Sequence, residues 1–277
     1  MTTSARDETA VAPWPLVRRV VVGLAQPGGP AMAGRAFDAA GLDDGSRVVD
    51  LAPGVGLATE AVLARAPRTW TGVEPDPLAA EHLRRAHTGA GRGVVIPGRE
   101  APTVTRDVVE APVAATGLEG ATATVVVIDS LLGTLPERGD RVAVLSEAAR
   151  LLRAGGRVAV HDLTFAPDAD PDAAPDLAAA GIHPIPVDDL RADAEAAGLV
   201  LVGSLVGRLH LPAARDVMRE AGPRLGVKIT REMARDGVLR SAALAGKDAL
   251  PRRAVSLRSL VVVAEVPLIL GMRRPRR

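Results

Sequence analysis

The chain has 277 residues, 47% of them hydrophobic, enough to bury the core of one large α/β domain or of a domain carrying a substantial insertion. It contains no cysteine, which excludes disulfides, thiolate zinc sites, iron–sulfur clusters and cysteine nucleophiles. The formal charge is +1, and Arg273, Arg274, Arg276 and Arg277 of the tail leave a slightly acidic body, so no nucleic-acid partner is expected.

The N-terminus MTTSARDETAVAPW lacks the basic-then-apolar order of a signal peptide, and no long apolar run follows it. A cytoplasmic chain without a membrane partner is expected. Trp14, Trp70, Phe37 and Phe165 are the whole aromatic inventory, so aliphatic side chains must shape any ligand site. Two helical patterns, PLVRRVVVGLA (15–25) and AMAGRAFDAAG (31–41), flank the breaker QPGGP.

From Ser46 strands and helices alternate: RVVDLA, GLATEAVLARA, TWTGVE, DPLAAEHLRRAH, the strands VTRDVVEA and TATVVVID, then GDRVAVLSEAARLL and GRVAVHDL. Such alternation predicts a largely parallel sheet covered on both faces. The acidic, proline-rich run PDADPDAAPDLAAA (167–180) reads as a loop, VDDLRADAEAAGLVLVGSLV as helix then strand, and RAVSLRSLVVVAEVPL as a last strand. The expected organisation is a helical extension at 1–45, a core at 46–211, a helical insertion or lid at 212–250, a closing strand at 251–270 and a basic tail at 271–277.

The chemistry gathers around VVDLAPGVGLATE (48–60), a strand, a loop and a helix start. In doubly wound sheets such a loop presents backbone N–H groups to a ligand at the carboxyl ends of the strands. Gly54, Gly56 and Thr59 give G-x-G-x-x-T, with Glu74 beyond, near a nicotinamide-type pattern. Asp50 argues against that reading. An acid before the loop repels a phosphate and attracts an ammonium group.

The pattern D-x-A-x-G-x-G at 50–56, followed by V-E-P-D at 73–76, resembles the class I S-adenosylmethionine-dependent methyltransferases, whose usual first motif is D-x-G-x-G-x-G. DSLLGTL after the fourth strand and EAARLLRAGGRVAVHDL at 147–163 extend the resemblance, which spans roughly residues 30–202 and 255–266. It implies a doubly wound, Rossmann-like sheet of seven strands, mostly parallel with an antiparallel last strand. It also implies an enzyme binding S-adenosylmethionine and methylating an oxygen, nitrogen or carbon of a small molecule, of the kind found in secondary metabolism.

By the same resemblance Asp50 holds the methionine ammonium, and Gly54 and Gly56 admit the methionine and ribose portions. Glu74, followed by Pro75, takes the ribose hydroxyls, and Asp129 faces the methyl group or the substrate. Ala52 stands where the family has its first glycine, so the loop is expected to keep to conformations that alanine tolerates. Val113 and Ala114 replace the acid-bearing stretch that meets adenine in many relatives, leaving apolar contact and backbone hydrogen bonds for that task.

His161, ending the fifth strand beside Asp162, is a candidate base, as are His183 and His210 near the expected lid. His82 and His87 lie on a charged helix and are expected in solvent. Met233, Val238 and Leu239 of the amphipathic TREMARDGVLRSAAL are expected in the core, although that segment also suits a lid or a dimer face. No histidine–carboxylate spacing suggests a required metal. A homodimer is the default symmetry. Two readings of another class stay open: an enzyme of this fold performing a non-methylating reaction such as a cyclisation with cofactor bound, and a non-catalytic relative with a decayed pocket.

Overall fold

A computed structural model describes residues 26–88, 105–211 and 222–268, except 225, 228, 229 and 232. Residues 15–25 of the first helical pattern lie outside them.

The strands β1 (Arg47–Leu51), β2 (Thr69–Val73), β3 (Thr105–Val109), β4 (Ala123–Asp129), β5 (Leu152–Phe165), β6 (Val200–Arg208) and β7 (Leu257–Glu265) form one sheet in the order β3-β2-β1-β4-β5-β7-β6. The pairs β1–β2, β2–β3, β1–β4 and β4–β5 are parallel, and β7 runs antiparallel to both β5 and β6. This is the doubly wound seven-stranded sheet with an antiparallel last strand. The order reverses between β1 and β4, and in doubly wound sheets ligands bind at such a reversal, outside the carboxyl ends of the strands.

Alternation along β1 decides what faces where. Val49 and Leu51 enter one apolar layer with Val126, Ile128, Val158 and Val160, covered by α4 (Arg138–Leu151) and α6 (Val187–Ala196). Val48 enters the opposite layer with Trp70, Val127 and Ala159, covered by α1 (Gly29–Ala39), α2 (Thr59–Leu63) and α3 (Pro77–His87). Asp50, in step with Val48, shares that second layer. Pro77 in the first turn and Asp76, whose carboxylate accepts the N–H groups of Leu78 and Ala79 at 2.9 and 3.0 Å, start α3 directly after β2.

Several elements depart from the sequence pattern. The run at 167–180 includes the helix α5 (Ala173–Ala179), because Ala173 and Leu177, four apart, pack with Leu250 and Leu257, while Arg253 donates to Asp176 at 2.8 Å. α2 is only five residues long, cut off where Ala66 turns left-handed at φ +49°. The helix α7 (Gly237–Arg253) extends through Pro251 into the stretch expected to be strand, so β7 begins only at Leu257. Val238, expected in the core, is 67% exposed. Among the described residues no helix is long and apolar enough to cross a membrane.

Candidate cofactor and acceptor site

At the end of β1, Asp50 is fully buried. Register sets it opposite Gly72, where a Cβ would lie 2.8 Å from the Trp70 ring, so the missing side chain makes room for that indole. The indole N–H donates to Asp50 Oδ2 at 3.3 Å, and the Thr59 hydroxyl donates to the same oxygen at 3.1 Å. Asp50 Oδ1 is buried and has no hydrogen-bond partner. Burial, reinforced by the nearby charges of Asp129 and Glu74 and opposed by the two hydrogen bonds, pushes the pKa of Asp50 up to about 7. A carboxylate with one idle, buried oxygen has room for one more donor.

The loop after Asp50 is pinned rather than loose. Glu74 Oε2 accepts the Gly54 N–H at 2.8 Å, and Oε1 accepts the Asp76 N–H at 3.0 Å, tying the ends of β1 and β2 together through one buried carboxylate. Gly54 and Gly56 have φ of +64° and +88°, and a Cβ on Gly56 would come within 2.8 Å of His87 Nε2. His87 is therefore no solvated residue of a charged helix. It is buried beneath the loop, edge-on to Trp70 with ring centroids 6.0 Å apart, and burial lowers its pKa to about 4, keeping it neutral.

Ala52 corrects the expectation for its position. It does not keep to conformations that alanine prefers: its φ is +56°, a left-handed geometry that favours glycine. Its N–H donates to Val73 O at 2.8 Å, and its methyl group packs in the core with Leu51, Val73 and Val113, contacts that hold the strained backbone in place. Val113 is fully buried in that cluster, Ala114 is half-buried against it, and Pro75 is half-buried beside Glu74. The loop following Val113 is anchored to α4 by Glu147, whose Oε1 accepts from the Thr116 N–H at 2.9 Å and the Thr116 hydroxyl at 2.6 Å.

A second group of polar side chains meets at the ends of β4, β5 and β7. Register places Asp129 beside His161, and Asp129 Oδ1 lies 2.7 Å from His161 Nδ1, while His161 Nε2 lies 3.0 Å from the Ser259 hydroxyl. Asp129 retains 8% exposure, His161 1% and Ser259 none. Both ring nitrogens of His161 are thus committed, and only Asp129 has surface left to meet a ligand. Asp162, on the opposite face, accepts the Gly133 N–H at 3.0 Å and is held protonated more readily by burial. His183 lies by Gly133, donating its N–H to Gly133 O at 2.8 Å. His210 is drawn to the loop before α1, its N–H donating to Pro27 O at 3.0 Å.

Trp70, Ser130, Ser259 and Gln26 of the QPGGP breaker belong to this neighbourhood and carry no motif, whereas Thr59 closes the G-x-G-x-x-T pattern. Among the described residues, no cluster of three or more histidine, aspartate or glutamate side chains could hold a metal.

Residues 49–160 match a family model described as "Methyltransferase domain". No curated protein matches the chain in sequence. Among solved structures, the [4+2]-cyclase SpnF superposes with a TM-score of 0.62 at 13% identity, covering 91% of this chain and 93% of its own. The cyclopropane synthase MmaA2 from Mycobacterium tuberculosis gives 0.60 at 13% identity, over 89% and 93%. A phosphoethanolamine N-methyltransferase 2 from Haemonchus contortus, in complex with phosphomonomethylethanolamine and S-adenosylhomocysteine, gives 0.55 at 15% identity, over 91% of this chain and 57% of that one. Residues 49–160 are thus similar to a methyltransferase domain, and the whole chain has the fold seen in the class I S-adenosylmethionine-dependent methyltransferases.

Proposed function

We propose that the chain binds S-adenosylmethionine across the ends of β1 and β2 and methylates a small-molecule acceptor presented near the end of β4. The observation that carries this reading is the idle, buried Oδ1 of Asp50 beside a loop whose glycines leave no side chain in the way of a ligand. The residues fit the cofactor. Asp50 takes the ammonium, Gly54 and Gly56 allow close backbone approach, Glu74 takes ribose hydroxyls, and Pro75, Ala114 and the loop after Val113 border the adenine. Ala52 keeps the glycine geometry that this approach needs.

When bound, the cofactor supplies an electrophilic methyl group on a sulfonium leaving group, so the protein's task is alignment, with proton removal where the nucleophile carries one. Asp129 is the catalytic candidate that can touch the acceptor. His161 acts through it: with the Ser259 hydroxyl donating to Nε2, Nδ1–H is directed at Asp129 and orients the carboxylate. A hydroxyl or amine acceptor suits such a carboxylate better than a carbon nucleophile without an acidic proton.

A mass spectrum of the purified protein under native conditions, followed by incubation with methyl-labelled cofactor and a panel of amines, alcohols and carboxylates, tests the reading. Retained cofactor and label transferred to an acceptor are expected. Cofactor bound with no label transferred across the panel supports instead a non-methylating reaction, the class to which the [4+2]-cyclase among the structural neighbours belongs by description. Absence of binding at millimolar concentrations overturns both.

A further inference from the structure

Gln26 stands just before α1 and is 4% exposed. Its backbone is left-handed, at φ +47°, a conformation that a glutamine side chain disfavours. The strain is held from several sides. The Gln26 N–H donates to Ser130 Oγ at 3.1 Å, Gln26 O accepts the Gly29 N–H at 2.8 Å, and the following Pro27 O takes the His210 N–H at 3.0 Å. Gly28 fits so closely against β7 that a Cβ there would fall 2.3 Å from Ser259 Oγ. Ser130, the partner of Gln26, is itself left-handed at φ +56° and follows Asp129 directly. Ala52, Ser130 and Gln26 thus place three strained non-glycine residues at one end of the sheet, where strain marks ligand sites more often than it marks scaffolding.

Within this braced loop the Gln26 carboxamide has no partner for its Nε2. Only two other described buried side-chain atoms share that condition, and one is Asp50 Oδ1. One is a donor and the other an acceptor, and Asp129 lies between their surroundings: it is close enough to Asp50 to raise that residue's pKa, and its neighbour Ser130 binds Gln26. A ligand end carrying both an ammonium and a carboxylate satisfies both atoms at once. We infer that Gln26 binds the carboxylate of the cofactor's amino-acid end while Asp50 binds its ammonium, an inference that rests on the S-adenosylmethionine reading above. A neutral amide suits the position. An arginine there would carry a charge able to pair with acids at this end of the sheet, whereas a neutral carboxamide does not.

Calorimetric titration with two ligands tests this: S-adenosylhomocysteine, which has the amino-acid end, and 5′-methylthioadenosine, which shares the adenosine and sulfur but lacks that end. Gln26→Ala is expected to weaken S-adenosylhomocysteine about 10- to 100-fold, as for loss of a hydrogen bond to a charged group, and to leave 5′-methylthioadenosine within twofold. Gln26→Glu is expected to weaken S-adenosylhomocysteine at least as much, by repulsion, with the same sparing of the second ligand. The thermal midpoint of Gln26→Ala should stay level or rise, since an unsatisfied buried donor has gone. Unchanged S-adenosylhomocysteine affinity overturns the inference, as does a parallel loss of both ligands, which marks a merely structural loop. A wild-type chain that binds neither ligand overturns the cofactor reading itself.

Discussion

Asp50 and Asp193 are both wholly buried, yet they are built in opposite ways. Asp193, on α6, receives Arg138 Nε on one oxygen at 2.7 Å and Arg141 Nε on the other at 2.8 Å, which ties α6 to α4. Among the described residues Asp50 meets no cation. One of its oxygens takes two neutral donors and the other takes none. Its surroundings are those in which a folded chain keeps a carboxyl protonated, and a strand end needing only a brace would be better served by asparagine or an aliphatic residue. The contrast separates an acid that serves the fold from the acid proposed to serve a ligand.

Substitutions that exchange these roles break the comparison most readily. Asp193→Ala strands two guanidinium groups, one of them well buried, and should cost about 3–5 kcal/mol in urea unfolding. The folded fraction should keep its affinity for S-adenosylhomocysteine within twofold. The pH dependence of the unliganded protein should show Asp50 from the other side. Its pKa in the folded chain, about 7, lies above the ordinary value of 3.8, so between the two the native state holds a proton that the unfolded chain has released. The stability associated with Asp50 is therefore full below about pH 4 and is lost as pH rises through 7, by an amount on the order of 4 kcal/mol. Asp162, also shifted upward by burial, adds a slope of the same sign. The difference between wild type and Asp50→Asn isolates the Asp50 share, and identical pH profiles would erase the distinction.

Asp50→Asn should next cost about 2 kcal/mol or more in S-adenosylhomocysteine affinity while leaving unliganded stability level or raised. Equal stability losses in the Asp50 and Asp193 variants would make both acids structural. The smallest effect belongs to Ala52→Gly, which relieves a left-handed alanine and gives up one buried methyl group, for a net gain of about 1 kcal/mol or less in the unfolding midpoint.

The two halves of the site differed in how far the sequence revealed them. Asp50, Ala52, Gly54, Gly56 and Glu74 lie in two short stretches, each a strand end running into a loop, where the motif resemblance could pick them out. The rest of the proposed site, Gln26 on the cofactor side and Asp129 with Ser130, His161 and Ser259 on the acceptor side, comes from residues far apart in the chain that meet only through sheet register and the loop before α1. Asp129 and His161 could be singled out as polar ends of apolar strands, but nothing local linked Ser259 or Gln26 to them. The sheet itself was legible from alternating apolar runs. The misreadings came where tertiary contacts override composition: acidic Asp-Pro sequence folded as α5 against α7, His87 turned inward beneath a glycine, and Ala52 forced to positive φ by the hydrogen bond to Val73 and by packing.

The pairing of Asp50 with a cationic ligand end is tested most directly by calorimetry of S-adenosylhomocysteine binding in two buffers of different ionisation enthalpy. Near pH 6 the carboxyl is largely protonated before binding and charged after it, so close to one proton should be released per ligand bound, falling toward none at pH 8.5 and absent in Asp50→Asn. Tight binding with no proton release at pH 6, or with the same release in the asparagine variant, would contradict the assignment of Asp50 to the ligand's ammonium.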